Sequence, residues 1–484
     1  MQKVLIAIAT IFSIIAGNAH ADDAPPPDLA APLAPVARFF NSIPLPAKDG
    51  SLTYHGITVY GGLDLGIGYQ SHGAPLSSVY GPGRNYAPNP ASSHTQVGFM
   101  PNALSYSNIG VKGVEEIIPG LSFVFNLQTS FVPTTGQLSN GNRAQVRNNG
   151  LPVSSRTSSG DSSRNGQIDN AQAYGGLSSP TFGTLTFGRQ NALTSDAVIA
   201  YDPIGGPGFS LIGLQGMTAG GGNTEDARQG DMLKYKVNFG PFRAAGTYKF
   251  DEFGNSNRNA YGAQFGGEYN GFSADVIYAV VKDSVATASE NPTQTLLSPN
   301  TLTGTISDNY AVMAVASYKI DRFKFYAGFE NIRFTNPENP LPNGAPAEGY
   351  QLYPSGGGVN NTAFTKNRVV NIFWGGVKYA LRDNIDVTGA YYHYYQNSYA
   401  TGANAGCSSR FVASNCSGTQ DAGSLLIDYR FSKRFDVYAG AMYGIVHGGF
   451  AAGYAPATRS ATALGTTGAA TNTIDPTVGA RFQF

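Results

Sequence analysis

The sequence predicts an all-β fold, in the form of a transmembrane antiparallel barrel of sixteen strands. Three observations support this prediction: an export signal at the amino terminus, apolar residues that alternate with polar ones from Ile57 onward, and connections that alternate between short turns and long loops. Hydrophobic residues make up 42% of the chain, yet after residue 21 no apolar run reaches the roughly 20 residues that a spanning helix needs. We therefore expect the apolar residues to lie on one face of many strands.

Two segments precede the first strand. Residues 1–21 form a signal peptide, with Lys3, an apolar stretch and the cleavage site Ala19-His20-Ala21. A membrane anchor is less favoured because the apolar stretch is short. Residues 22–50 are rich in Pro and Ala and lack strand periodicity, which predicts an extended, poorly ordered leader rather than a cell-wall or partner-binding segment. The barrel domain is expected to cover residues 51–484.

Charge and cysteine content narrow the classes of function. Removing the signal takes away only Lys3, so 30 basic residues stand against 31 acidic ones, and this balance argues against a nucleic-acid-binding surface. Cys407 and Cys416 are separated by eight residues, and in an exported chain they predict one disulfide that closes a loop. A metal pair is less favoured because no His or further Cys is near them in sequence. No cofactor or metal is predicted.

The strand pattern begins in the first segment and repeats to the carboxyl terminus. One face of the first strand carries Ile57, Val59, Leu63, Leu65 and Ile67, and the other carries Thr58, Tyr60 and Asp64. The remaining strands are predicted near 104–113, 121–132, 167–178, 183–190, 230–239, 242–250, 260–269, 271–282, 308–319, 322–333, 367–380, 385–398, 421–431, 434–447 and 474–484. The last strand alternates to a terminal Phe484, which resembles the insertion signal of outer-membrane proteins.

Alternation by itself is also compatible with a soluble sandwich, whose apolar face would point inward. The export signal, the even strand count and the asymmetry of loop lengths favour the membrane barrel instead. A barrel of sixteen strands leaves a water-filled lumen because side chains cannot fill that width.

A long loop that carries several charged residues spans residues 191–229. It follows the strand FGTLTFGRQ, is rich in Gly and precedes the strand GDMLKYK. Its charged residues include Asp196, Asp202, Glu225, Asp226 and Arg228. Loops of this length are usually functional, so we expect it to fold into the barrel and narrow the pore. The alternative is a solvated surface loop without a role.

Several segments together resemble the Gram-negative general porins of the trimeric type. They are ITVYGGLDLGIGY (57–69), SNIGVKGVEE (107–116), LSFVFNLQTSF (121–131), AQAYGGLSSPTFGTLTFGRQ (171–190), SKRFDVYAGAMY (432–443) and TVGARFQF (477–484). The resemblance implies a homotrimer in the lipid of the bacterial outer membrane, with an inward-folded third long loop. The Arg-bearing loop at 133–166 is a candidate for contact with a neighbouring subunit; ordinary solvated surface is the alternative.

The same resemblance implies a pore constriction, in which acidic side chains on the third loop face basic ones on the wall. The candidate residues are Asp196, Asp202, Glu225, Asp226, Lys112, Arg189, Arg228, Asp64, Asn108 and Gln128. Arg243 is a further candidate for a basic partner. The wall departs from the family pattern, because Asn108 and Ala171 stand where Arg is common and Gln128 stands where Glu is usual. Fewer wall arginines predict a weak preference for cations.

The expected function is a channel for passive diffusion of small hydrophilic solutes and ions, without catalysis. An alternative is a substrate-selective channel, for sugars for example, in which Tyr391, Tyr392, Tyr394 and Tyr395 supply a stacking track; these residues also suit an interfacial aromatic girdle. A barrel enzyme is not favoured, because the mature chain has five histidines and neither a G-x-S-x-G nor an H-E-x-x-H motif.

Overall fold

The computed structural model describes residues 52–71, 95–100, 102–134, 136–138, 171–205, 208–212, 228–250, 259–287, 304–338, 359–361, 366–399, 417–448 and 471–484. The chain divides into two compact units, Met1–Thr58 and Val59–Phe484, and the second contains the barrel wall. The predicted signal peptide, the leader at 22–50 and the pair Cys407 and Cys416 lie outside the described residues. The disulfide therefore stays a prediction.

The described elements are almost all strands. They are β1 (Leu52–Tyr54), β2 (Ile57–Gln70), β3 (Gln96–Phe99), β4 (Asn108–Ile118), β5 (Leu121–Val132), β6 (Gln137–Leu138), β7 (Gln172–Ser179), β8 (Gly183–Asn191), β9 (Arg228–Phe239), β10 (Phe242–Lys249), β11 (Ala260–Tyr269), β12 (Phe272–Thr287), β13 (Gly304–Ile320), β14 (Phe323–Thr335), β15 (Val359–Asn361), β16 (Arg368–Arg382), β17 (Ile385–Gln396), β18 (Gly418–Arg430), β19 (Phe435–Gly448), β20 (Thr471–Ile474) and β21 (Thr477–Gln483). A helix, α1 (Leu193–Tyr201), lies between β8 and β9. Within the described part of the chain, no helix has the length and apolar character needed to cross a membrane.

Sixteen of these strands form a closed antiparallel ring, which confirms the predicted fold. Successive long strands pair with each other, and the ring closes where β21 pairs with β2, with Leu63 opposite Phe482 and Asp64 opposite Arg481. The five short strands β1, β3, β6, β15 and β20 are additional to this ring.

Several strand ends shift by up to five residues from the prediction, as at Thr287 of β12, and two predicted strands are cut short or interrupted. The second long strand begins at Asn108 rather than near residue 104, because residues 102–107 leave the sheet. The final strand is interrupted at Asp475 and Pro476, which separate β20 from β21. Proline cannot donate a hydrogen bond to the sheet, so an interruption at this point is expected.

The two faces of the wall have opposite chemistry. On β14, Phe323 and Phe325 are exposed, whereas Lys324 and Tyr326 are half-buried and Glu330 is fully buried. The exposed rings also contact the next strand, as in the stacked pair Phe323 and Tyr379, whose centroids are 4.6 Å apart. A continuous band of exposed aromatic and aliphatic side chains fits a lipid-facing surface, and the polar side chains fit a wet interior.

Candidate pore constriction

Helix α1 begins directly after β8 and contacts the polar face of β10–β14. Its first turn holds Asp196, a position where the helix dipole favours a negative charge. Asn191 at the end of β8 donates a hydrogen bond from Nδ2 to Asp196 Oδ1 at 3.0 Å. The carboxylate is thus oriented by the strand from which the loop departs.

Asp196 forms ion pairs with two lysines of β9. Its Oδ2 lies 2.6 Å from Lys234 Nζ and 2.7 Å from Lys236 Nζ. Burial on its own would raise the pKa of Asp196, but the two positive charges outweigh burial and lower it. Asp196 is therefore an anion whose charge is neutralised by the neighbouring strand.

The carboxyl end of α1 is held by a polar network on the wall. Arg243 donates to the Tyr201 hydroxyl at 2.6 Å and, through Nε, to Asp275 Oδ1 at 2.9 Å. The Tyr201 hydroxyl donates to Asp275 Oδ2 at 2.6 Å, and Trp374 Nε1 donates to the Tyr201 carbonyl at 3.1 Å. Burial, with the hydrogen bond to Asp275, raises the pKa of Tyr201 to about 12. Arg243, a predicted basic partner, thus binds a wall acid and α1 together.

Asp202 follows α1, and its side chain is buried rather than directed at open water. Its Oδ1 accepts hydrogen bonds from the Tyr392 hydroxyl at 2.7 Å and from the Ile204 amide at 3.2 Å. Burial raises the pKa of Asp202 to about 6. Asp202 therefore connects the loop to β17. Its position in the sequence predicted an acid at the pore constriction and gave no indication of this buried contact.

The residues after Asp202 pack against two wall glycines. A Cβ atom on Gly376 would lie 2.6 Å from Pro203 side-chain carbons, and one on Gly440 would lie 3.0 Å from Phe209. Phe209 also makes an edge-to-face contact with Tyr438, with ring centroids 6.0 Å apart. These contacts belong to a small apolar cluster of Ala103, Leu104, Ile204, Phe209, Leu426 and Tyr438. The segment from 193 to 212 thus contacts the wall from β10 to β19.

Asp64 organises a second segment, residues 102–107, which the sequence analysis assigned in part to a strand. The fully buried Asp64 accepts hydrogen bonds at Oδ2 from the amides of Leu104 and Ser105 at 2.7 and 2.8 Å, and at Oδ1 from the Tyr438 hydroxyl. Pro101, which directly precedes this segment and has no amide donor, was a local signal for irregular backbone here. Asp64 therefore has two amides and one hydroxyl as partners and is remote from open water.

The other predicted wall residues lie on β4, β5, β8 and β9. Asn108 and Gln128 form an amide chain with Gln172, through hydrogen bonds of 3.0 and 3.3 Å. Lys112 Nζ lies 5.3 Å from the centroid of the Tyr60 ring. Arg189 is buried in β8, and Arg228 begins β9. Glu225 and Asp226 lie outside the described residues, and the contribution of all these residues to a constriction stays a prediction.

The tyrosines of β17 divide between the two faces. Tyr391 and Tyr395 are 54% and 43% exposed on the outer face, whereas Tyr392 and Tyr394 are fully buried on the inner face. A buried ring presents no face on which a sugar can stack. The four tyrosines therefore no longer support the alternative of a substrate-selective channel with an aromatic stacking track.

Comparisons with known proteins agree with this architecture. The model of a family described as Gram-negative porin matches residues 5–446. An outer membrane porin protein of Bordetella pertussis is 29% identical over 182 residues, which are 37% of this chain and 39% of that relative's length. The chain thus matches about two fifths of the length of this curated relative.

Solved structures show the same fold at low sequence identity. An anion-selective porin from Comamonas acidovorans has a TM-score of 0.56 and 18% identity, with 88% of this chain and 99% of that chain covered. In-vitro folded OmpT of Vibrio cholerae has a TM-score of 0.53 and 13% identity, with 90% and 100% covered. A trimer form of OmpT has a TM-score of 0.50 and 13% identity, with 88% and 99% covered. Since the family model matches most of the sequence and the wall is a closed sixteen-stranded barrel, the chain belongs to the Gram-negative porin family of the bacterial outer membrane.

Proposed function

We propose that the chain forms a water-filled channel for passive diffusion of small hydrophilic solutes and ions, and that the 191–229 segment narrows it. The observation that carries the proposal is the series of contacts that residues 193–212 make with the polar face of the wall from β10 to β19. A segment that follows so much of the wall of a wide barrel occupies part of its cross-section. Solutes are selected by size there, with a bias from nearby charges.

Two of the four loop acids differ from what the expected cation preference assumed. That expectation combined fewer wall arginines with loop acids that face the pore, but Asp196 binds two lysines and the Asp202 carboxyl is buried. Among the described residues of the loop, neither acid presents an exposed, unpaired carboxylate to the lumen. We therefore propose that the channel is not cation-selective.

The family and the fold point to a channel rather than an enzyme. We further propose that the chain has no catalytic activity and that it assembles as a homotrimer surrounded by outer-membrane lipid. The trimer proposal is supported by the family resemblance and by the trimer form of OmpT, which has the same fold. Nothing in the charge balance favours a nucleic-acid partner.

The test is conductance of the refolded protein in a planar lipid bilayer, with zero-current potentials measured in a KCl gradient. An open channel gives current steps that are linear in voltage and persist without any added ligand. The zero-current potential is expected to have the sign of anion preference or to be close to zero. Absence of conductance without a ligand, or strong cation preference, would contradict the proposal.

A further inference from the structure

Three lysines lie side by side on neighbouring strands at the end of the barrel that has short turns. Lys319 of β13 is directly opposite Lys324 of β14, and Lys324 is directly opposite Lys378 of β16. Phe323 and Tyr379, which flank the row in sequence, stack on the outer face, so the three lysines point to the interior. We call Lys319, Lys324 and Lys378 the lysine row. Short turns mark the periplasmic end of outer-membrane barrels.

No carboxylate of the described residues lies within 4.0 Å of the ammonium groups of the lysine row. Two other inward-facing cations differ in this respect, since Lys234 pairs with Asp196 and Arg243 pairs with Asp275. Lys319 and Lys378 both repel the charge of Lys324, and Glu268 attracts it from beyond ion-pair distance. Like charges directly opposite each other destabilise a sheet, and the wall itself offers the row no compensating ion pair.

A cavity of about 430 Å³ lies beside the row, between α1 and the wall. Lys319 and Lys324 line it together with the hydroxyl of Ser317 and the amide of Gln264. Two of its three acidic side chains, Asp196 and Asp275, are already paired with cations, and the third is Glu268. Lys319 and Lys324 in the lining, with Lys378 beside them on β16, stand against one remaining carboxylate, which leaves this part of the lumen with an excess of positive charge.

We infer that the lysine row and this cavity bind a small multivalent oxyanion of the phosphate type at the periplasmic end of the lumen. Each ammonium group is a compact charge with three donors, which suits an anion that has several charged oxygens. Hydroxyl and amide donors on the cavity wall add neutral hydrogen bonds, and the volume accommodates a small solute. The inference depends on the proposed channel function, because the anion reaches the site through the lumen.

Such a site raises the local concentration of anions at one mouth of the pore. Binding in a conducting channel has to be weak enough for release, so the expected effect is saturable slowing of current rather than permanent block. A solute with a single negative charge, such as chloride, engages fewer of the lysines at once and passes with little retention.

The experiment adds inorganic phosphate to single channels in KCl and compares three proteins. The wild type is compared with the triple variant Lys319→Gln, Lys324→Gln and Lys378→Gln, and with a control that makes the same change at three other cations. The control residues are Arg322 and Lys433 in turns and Arg382 at the last position of β16, all exposed at the same end of the barrel.

In the wild type, phosphate is expected to reduce the chloride current with saturation. The half-effect concentration is expected to rise about tenfold or more in the triple variant, since three charged donors are lost. The control variant loses the same total charge but keeps the row, so its half-effect concentration should match that of the wild type. Equal responses of the wild type and the triple variant, or a larger shift in the control, would overturn the inference.

Two further measurements separate this inference from the proposed function. Current in KCl without phosphate tests the channel, so a protein that conducts normally but shows no saturable phosphate effect contradicts only the site. Calorimetric titration of phosphate into the folded protein in detergent needs no conduction, and binding there should be lost in the triple variant. If the triple variant does not fold, Lys324→Gln removes the central charge, and its half-effect concentration should shift in the same direction by a smaller factor.

Discussion

Asp196 and Asp202 are six residues apart, but their carboxyl groups have opposite environments. Asp196 pairs with Lys234 and Lys236, which stabilise its charge, whereas Asp202 is buried against Tyr392, where a charge is destabilised. The sequence presents both as acids on one Gly-rich loop. Their different neighbours keep Asp196 ionised as a partner of the wall, whereas the raised pKa of about 6 lets Asp202 take up a proton already in mildly acidic solution.

Asp202→Asn is expected to change how stability depends on pH. The pKa of Asp202 is raised to about 6 in the folded protein from 3.8, so its favourable contribution is present below about pH 4 and is lost as the pH rises through about 6. Asn keeps the acceptor for the Tyr392 hydroxyl and does not ionise. Relative to wild type, Asp202→Asn should therefore gain up to about 3 kcal/mol in unfolding free energy between pH 4 and pH 7.

Denaturant unfolding in detergent at both pH values measures this difference. Asp321→Asn removes an exposed carboxyl group in a short turn and serves as the control for the same chemical change at the surface. A difference for Asp202→Asn that is constant with pH would show that the carboxyl group does not titrate with folding.

Asp64→Ala is expected to release residues 102–107 from the wall. The change leaves the amides of Leu104 and Ser105 and the Tyr438 hydroxyl without their acceptor. Each unsatisfied buried donor costs about 1–3 kcal/mol, so the free energy of unfolding should fall by about 3 kcal/mol or more. Tyr438→Phe removes one of the three donors and should cost less. If both variants lower the unfolding free energy equally, the two amides do not depend on Asp64.

The segment that contains α1 is positioned by many weak contacts along its length. Its first turn is held by the ion pairs of Asp196, and its last turn by the Tyr201 network. Beyond the helix, close approach is possible because the wall has glycine at the points of contact, at Gly376 beneath Pro203 and at Gly440 beneath Phe209. The position of the loop is thus determined as much by small residues of the wall as by the loop.

Gly376→Val should displace Pro203 from the wall toward the lumen. A valine here overpacks the contact, with an expected loss of about 1–3 kcal/mol, and single-channel conductance should fall because the loop occupies more of the pore. Gly375→Val is the matched control, because Gly375 precedes Gly376 and points to the other face of the wall. The nearest atom to a Cβ added at Gly375 is the Tyr326 carbonyl oxygen, at 3.4 Å. Conductance that changes equally in both variants would contradict this arrangement.

For the whole molecule, the proposed trimer can be tested by single-channel conductance and by the temperature at which the subunits dissociate. Three pores inserted together are expected to give current steps that close in thirds, and the native complex is expected to migrate on gels as a trimer until it is heated. If the Arg-bearing loop at 133–166 contacts a neighbouring subunit, replacing 139–166 by a short Gly-Ser linker should lower the temperature at which the trimer dissociates.

A control deletion of residues 288–303, in another long loop, should leave that temperature unchanged. Dissociation is measured by gel migration after heating in detergent. An unchanged temperature in the 139–166 variant would support the solvated-surface interpretation of this loop. Single conductance steps with no substates would contradict the trimer.

Much of the barrel was predictable from the sequence, because alternation with period two is a local property of each strand. The alternation of sixteen segments joined by turns and loops already predicted an antiparallel meander. In the first strand, the predicted separation of Ile57 and Leu63 from Asp64 is confirmed, since the two apolar side chains are exposed and Asp64 is buried. The boundary errors near 104 and 475 occur where proline and buried carboxylates override the pattern.

The candidate site was predictable only as a segment and a set of charged residues. Residue type and position identified 191–229, Asp196 and Asp64, but the burial of Asp202 and Asp64, the pairing of Asp196 and the alignment of the lysine row depend on strand register and on the path of the loop. The sequence by itself thus determined the strands, their order and the two faces of the wall, since these follow from local alternation. The tertiary structure decided which charges face open water, because burial and ion pairing join residues far apart in the chain.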